Sequence, residues 1–254
     1  MEFRTYLESI ENQYTYFVEK LALACKYRNA VLKTIGKVKQ YDLYQVTINP
    51  KAKETIGLIG AVHGDEIVGP HAILKFMEES DIPKDKRIII FPVANPIGFD
   101  KQTRSATDRL NINRQFHKHE LENESKLIKN AILKEDIDLF CAFHEDSLEN
   151  AGFYIYTSTN AEDICQEIVK VMKKFLPIDN RKVIYGDDAK KGIITVKVDN
   201  KNPQNRKSLD TWVNKLGIKT LCAEFPTRFP LGVRADAGRA LIDILLQFSS
   251  TTAR

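Results

Sequence analysis

The chain has 254 residues, with 38 Lys and Arg against 34 Asp and Glu, a formal net charge of +4. Hydrophobic residues at 43% and charged residues at 28% are ordinary for a soluble globular protein; they exclude a disordered chain, a collagen-like repeat and a disulfide-stapled miniprotein. Both charge signs are mixed along the chain and no basic stripe with interleaved aromatics occurs, so no nucleic-acid partner is expected. The four cysteines, Cys25, Cys141, Cys165 and Cys222, form no C-x-x-C pair. They read as reduced thiols, which fits a cytoplasmic protein. No apolar signal-peptide region opens the chain, and no run approaches the roughly 20 apolar residues of a membrane span.

Residues 4–26 carry Leu7, Ile10, Tyr14, Phe17 and Leu21 at helical steps and predict an amphipathic helix. Runs at 30–38 and 41–49 predict an antiparallel hairpin across Lys39 and Gln40. The continuous apolar stretch 55–62 predicts a strand buried on both faces; a helix over 67–79 and a second buried strand over 87–93 follow. Residues 95–117 have no steady period, and a loop of that length inside a domain is usually functional. Beyond it come a charged helix near 120–134, strands at 138–143 and 152–157, and a helix over 161–175. The region 181–206 gives no clear pattern. The helix SLDTWVNKL, with Gly217 placed for a C-terminal cap, then leads to strand KTLCAEF and a last helix over 233–248. The alternation predicts one α/β domain over 1–254, with its core at about 30–245 and a mixed parallel and antiparallel sheet covered by helices on both faces.

The sharpest local feature is A-V-H-G-D-E, where His63 and Glu66 stand three apart between a strand end and a helix start. Open α/β sheets place ligands in that crevice. H-x-x-E alone is a common pattern, but His144 closes another strand in CAFHED and aims at the same edge. Two histidines and a carboxylate, with a fourth position left for water, form a catalytic zinc set. The alternative is that His144 caps a turn beside solvated Glu145 and Asp146. Glu224 ends the strand KTLCAEFP and could move a proton between water and a leaving amine; a surface pairing with lysine is the plainer use of such an acid. Arg104, Asn113 and Arg114 lie in the long loop, where guanidinium groups could clamp a carboxylate or stabilise an oxyanion.

Taken in order, HGDE at 63–66, NPIGF at 95–99, Arg104, the N-R pair at 113–114, His144 and Glu224 resemble the zinc carboxypeptidase family. The family is meant in the broad sense that includes the succinylglutamate desuccinylase and aspartoacylase relatives. The resemblance implies one zinc held by His63, Glu66 and His144, with Glu224 as general base and acid. It implies an oxyanion role for Arg104, and binding of the substrate's terminal carboxylate by Asn113 and Arg114. The substrate would be a peptide or an N-acyl amino acid with a free carboxylate, and the expected activity is removal of C-terminal amino acids. N-acyl amino acid deacylation is the nearest alternative, cell-wall peptide trimming a further one, and a non-catalytic carboxylate-binding module the alternative of another class.

Two departures from the family pattern stand out. Asn111 replaces the usual aspartate before the N-R pair, and no tyrosine lies a couple of dozen residues before Glu224, Tyr185 being the nearest upstream. The helix SLDTWVNKL resembles the family's specificity-pocket helix and puts Leu209 at the pocket base, which implies a neutral or apolar C-terminal residue. His71 reads as an ordinary helix residue and Trp212 as a core contact; the His117 and His119 pair could bind a metal but reads as surface, Arg228, Arg234 and Arg239 could line the pocket but read as a solvated loop and helix face, and the lysines around 170–191 read as solvated faces.

Overall fold

The computed structural model describes residues 13–105, 110–118, 123–146, 152–197 and 207–248. Helix α1 (Gln13–Arg28) buries Phe17 and Leu21, so the amphipathic reading holds from residue 13; residues 4–12 of that expectation lie outside the described residues. The hairpin β1 (Val31–Val38) and β2 (Tyr41–Ile48) turns through Lys39 at φ 53°. Next come β3 (Glu54–Ile59), α2 (Val68–Glu79), β4 (Lys86–Phe91) and α3 (Pro96–Lys101). Helix α3 falls inside the stretch expected to be irregular. At six residues it is too short to show a period, although Asn95 caps it through its side chain and Pro96 opens it. A 3-10 turn, Ile112–Arg114, leads to α4 (Asn123–Ile132), β5 (Leu139–Asp146), β6 (Tyr154–Ser158) and α5 (Glu162–Met172). The region without a clear pattern yields the short pair β7 (Val183–Ile184) and β8 (Asp187–Asp188), then β9 (Ile193–Val196). Residues 198–206 lie outside the described set. Helix α6 (Leu209–Lys215), β10 (Lys219–Pro226) and α7 (Leu231–Gln247) complete the order, with Gly217 at φ +84° after α6.

Eight strands form one mixed sheet in the order β1-β2-β4-β3-β5-β10-β6-β9. The central strands β4, β3, β5 and β10 run parallel, so their carboxyl ends open on one edge. Alternation along each strand divides the interior in two. Ile88, Ile90, Leu139, Cys141, Phe143, Leu221, Ala223 and Phe225 face a core closed by α1, α2, α5 and α7. Ile89, Phe91, Phe140 and Ala142 face a second core closed by α4 and α6. The chain is thus a single-domain α/β fold with helices on both sheet faces, as the sequence predicts. All four cysteines are buried and free. Among the described residues no helix is long and apolar enough to cross a membrane.

Candidate metal centre and cavity

Beyond Ile59 the chain leaves the sheet through Gly60 and Ala61, the latter at φ 46°, and delivers His63 over the parallel edge. Close backbone approach then fixes two motifs against each other. A Cβ on Gly64 would stand 2.1 Å from the carbonyl carbon of Gly98, so HGDE and NPIGF meet glycine to glycine. Asn95, wholly buried, accepts from the Gly98 N–H at 2.9 Å and donates to the Arg104 carbonyl at 3.3 Å. The Gly64 N–H donates to the same carbonyl at 3.3 Å. The NPIGF segment therefore sets the position of Arg104 relative to His63 and Glu66.

His63, Glu66 and His144 are each buried, and one ligand atom from each lies within 4.8 Å of the others. Glu66 Oε1 meets His63 Nδ1 at 2.7 Å and the Arg104 guanidinium at 2.6 Å; its Oε2 meets His144 Nδ1 at 2.6 Å and accepts from the Glu145 N–H at 3.2 Å. Burial raises the Glu66 carboxyl, but His144 and His63 outweigh it and hold the group far below the usual range. Burial lowers both imidazoles. At His63 burial prevails, whereas at His144 the charges of Glu66, Glu224 and Asp210 prevail and lift it to about 9. The centre therefore favours added positive charge among two imidazole nitrogens and a carboxylate. That donor set and polarity fit a divalent cation. Among the described residues neither His63 Nε2 nor His144 Nε2 has a hydrogen-bond partner.

The registers of β10 assemble the facing wall. Glu224 pairs with His144 across the parallel ladder and with Tyr154 across the antiparallel one, and Cys222 pairs with Tyr156. These side chains point to the face that α4 and α6 leave uncovered at this end. Burial, with Glu66, Asp146 and Asp210 nearby, pushes the Glu224 carboxyl up to about 8 against the opposing pull of His144. A cavity of about 570 Å³ joins the two walls and also meets Arg104, Asn113 and Arg114. Asn111 accepts from the Asn113 N–H at 3.0 Å, a bond that the family's usual aspartate could make equally. Asn113 in turn accepts from the Leu209 N–H at 2.9 Å and so ties the 3-10 turn to α6.

Every expected site residue except Leu209 lines this cavity. Leu209 is wholly buried in the second core with Val213 and does not reach the cavity wall. One residue is about 100° of helix, and that rotation presents Asp210 instead. Leu209 is therefore a core residue, not a cavity residue, and its neighbour Asp210 lines the cavity.

Tyr154, Tyr156, Asp65, Asp146 and Asp210 line the cavity without having been singled out. The alternation in GFYIYT carried a signal for the two tyrosines, since it puts them on one face, opposite Phe153 and Ile155. Tyr185, in the two-residue β7–β8 turn, also reaches the cavity and donates to Asp146 at 3.0 Å. Glu145 is a buried support rather than a solvated acid: it accepts from the Val68 N–H at the start of α2 at 2.9 Å and pairs with Arg234. Arg234 is buried, and Arg239 pairs with Asp243 and Glu79; neither lines the cavity. His71 is buried, Trp212 packs on Phe116, His117 is exposed, and His119 lies outside the described residues.

Residues 52–168 match the family model of the succinylglutamate desuccinylase/aspartoacylase catalytic domain. No curated protein matches the sequence. Among solved structures, a candidate metallopeptidase from Shewanella amazonensis superposes with a TM-score of 0.81 at 22% identity, covering 92% of each chain. A metallo-carboxypeptidase from Burkholderia cenocepacia superposes with a TM-score of 0.70 at 15% identity, over 94% of this chain and 69% of that one. A metallo-carboxypeptidase from Pseudomonas aeruginosa, in complex with (2-guanidinoethylmercapto)succinic acid, gives 0.67 at 14% identity, over 92% and 68%. Residues 52–168 thus resemble that catalytic domain, and the fold over most of the chain is shared with these metallopeptidase structures.

Proposed function

We propose that the protein is a zinc-dependent hydrolase that cleaves an amide bond next to a free carboxylate and removes C-terminal amino acids from peptides. The observation that carries this reading is the convergence of His63, Glu66 and His144 opposite Glu224, in one cavity with Arg104, Asn113 and Arg114. Zinc held by His63, Glu66 and His144 would supply Lewis acidity, polarising the substrate carbonyl and acidifying water. Glu224 then takes a proton from the attacking water and returns it to the departing amine. Burial raises this carboxyl above the usual carboxylate range, the direction that suits a group that both takes and returns a proton. Arg104 stabilises the oxyanion, and Arg114 with Asn113 holds the terminal carboxylate at a fixed distance from the bond that breaks.

A second reading, hydrolysis of N-acyl amino acids, is favoured by the match of residues 52–168 to the desuccinylase/aspartoacylase model. It uses the same residues in the same roles. The succinic acid derivative bound to the Pseudomonas aeruginosa metallo-carboxypeptidase accords with both.

Mass-spectrometric product analysis on a mixed panel of peptides and N-acyl amino acids tests the two. Zinc-loaded protein should shorten peptides from the carboxyl end, and both chelation and Glu224→Gln should abolish the products. Release of amino acids from N-acyl compounds alone would move the protein to the second reading. No product from either class would overturn both.

A further inference from the structure

Residues 170–191 hold seven Lys and Arg against three Asp, an excess of four that equals the net charge of the whole chain. The lysines read from sequence as solvated faces, but four of them border one space. A cavity of about 440 Å³ lies between α5, β9 and the turn before β9, and Lys170, Lys173, Lys190 and Lys191 line it. The one acid on its wall, Glu162, accepts the Thr195 hydroxyl at 2.7 Å. It sits in the first turn of α5, about 16 Å of helix from Lys173. Lys170 meets Glu167 at 3.5 Å, both exposed, and among the described residues Lys173, Lys190 and Lys191 have no ion pair.

Two elements bring these cations together. Gln166, Lys170 and Lys173 follow at helical steps and share the face of α5 that borders the groove. The carboxyl end of a helix favours cations, which accounts for Lys170 and Lys173. It does not account for Lys190 and Lys191, which come from a turn. Lys190 and Ile193 exchange both backbone hydrogen bonds, at 2.9 and 3.0 Å, around Lys191 at φ 53° and Gly192 at φ +78°. Two successive left-handed residues make a tight hairpin turn whose first position ordinarily takes Asn, Asp or Gly. The Cβ of a lysine is disfavoured there, yet Lys191 occupies it. The Gly192 carbonyl accepts from the Ile155 N–H at 2.8 Å, and a Cβ on Gly192 would stand 2.5 Å from Ile178. The turn is thus anchored to β6, and two lysines that repel the pair on α5 start from a fixed frame.

The groove is separate from the cavity beside the metal centre. Ile193 and Thr195 of β9 face it, whereas Ile194 and Val196 pack with Tyr154 and Ile184 on the other side of the sheet. No aromatic side chain lines it, so it offers no stacking platform for a base. The outward N–H and C=O of Ile193 are taken by Lys190, which closes the start of edge strand β9 to an added peptide strand. Lysine is a compact point charge and lacks the planar fork that matches a carboxylate. Four ammonium groups against one carboxylate leave an excess of three, about the charge of a diphosphate at neutral pH. We propose that this groove is a binding site for a small polyanion with two or more phosphoryl groups, held by Lys170, Lys173, Lys190 and Lys191. The site is independent of the hydrolase reading.

Calorimetric titration of the zinc-loaded protein with pyrophosphate, at about 0.15 M salt, tests it. One pyrophosphate should bind saturably, and inorganic phosphate should bind at least about tenfold more weakly. Lys191→Gly suits the left-handed position, so it removes an ammonium without lowering Tm and should weaken pyrophosphate by about threefold or more. Lys173→Gln combined with Lys190→Gln should weaken it by at least about tenfold. Lys33→Gln with Lys37→Gln, on exposed β1 at the opposite sheet edge, removes equal charge and should leave binding unchanged. An equal loss in that control would reduce the effect to net charge and overturn the proposal. Heat that persists in the groove variants would place the anion at the metal centre or its arginines, and overturn it as well. Citrate bound as tightly as pyrophosphate would overturn the phosphoryl assignment. A single-stranded oligonucleotide that displaces pyrophosphate at lower concentration would replace the small ligand by a nucleic acid and overturn the ligand class. No saturable heat at millimolar pyrophosphate would overturn the site altogether.

Discussion

The two faces of the sheet answer different demands. On the face closed by α1, α2, α5 and α7, the side chains of β5, β6 and β10 that point inward are mostly apolar, Phe143, Ile155, Leu221, Ala223 and Phe225 among them, with Glu145 and Thr157 as buried polar exceptions. One step along the same strands, the side chains on the other face are His144, Tyr154, Tyr156, Cys222 and Glu224. Helices α4 and α6 cover only part of that face, and the uncovered end is the cavity. A strand with one face buried in hydrocarbon has its register fixed, because a slip by one residue would exchange the two sets. Stability and chemistry are thus held by alternate residues of the same strands.

Substitutions on the two faces should therefore separate activity from stability. The largest expected effect is at the cavity: Glu224→Gln should cut kcat/KM by about a thousandfold or more, with no fall in Tm, because it replaces a burial-strained acid by an isosteric amide. A matching loss of Tm would break the separation. On the opposite face, Phe76→Ala in α2 should cost about 3–5 kcal/mol in urea unfolding while the folded fraction retains zinc at full stoichiometry by metal analysis.

His71 probes the same apolar side through pH. Burial first, and the nearby Arg234 charge second, push its imidazole down to about 4. The unfolded chain binds the proton below about 6.5, so stability is fully present above that pH and is lost as pH falls toward 4. The loss is at most about 3 kcal/mol, and His71→Gln should flatten that limb of a pH series of urea midpoints. The smallest effect belongs to the exposed rim. Tyr185→Phe removes one part-buried hydrogen bond to Asp146 and should lower stability by about 1 kcal/mol or less. A larger drop would mean that the cavity edge contributes to the core.

His63, His144 and Glu224 were legible because each closes an apolar run that reads as a buried strand, Glu66 because it follows His63 by three residues, and parallel strands bring these positions together. The supports were less legible because they depend on pairings distant in sequence. Tyr154 joins the site only because β6 runs antiparallel to β10, a register that no local pattern encodes. Glu145 supports α2 across 77 residues of chain. The exchange of Leu209 for Asp210 at the cavity wall has a local cause: the pattern of SLDTWVNKL predicts the helix but not its rotation, and one residue of phase decides which side chain faces the cavity. Helix α3 escaped notice by brevity, although its Asn-Pro start was in plain view.

The contact between Gly64 and Gly98 bears on the order in which the protein comes into being. It joins segments made early in synthesis, and the first half of the centre can form as soon as β4 pairs with β3. His144 arrives 78 residues after Glu66, and β10 must be in place before Glu224 can face them. Arg234, from the last helix, then pins Glu145. A ribosome-bound chain therefore has two of the three candidate metal ligands long before the third, and the cavity closes only when β10 and α7 have emerged. Metal captured before that point would be held by an incomplete set, so correct loading belongs to the end of folding.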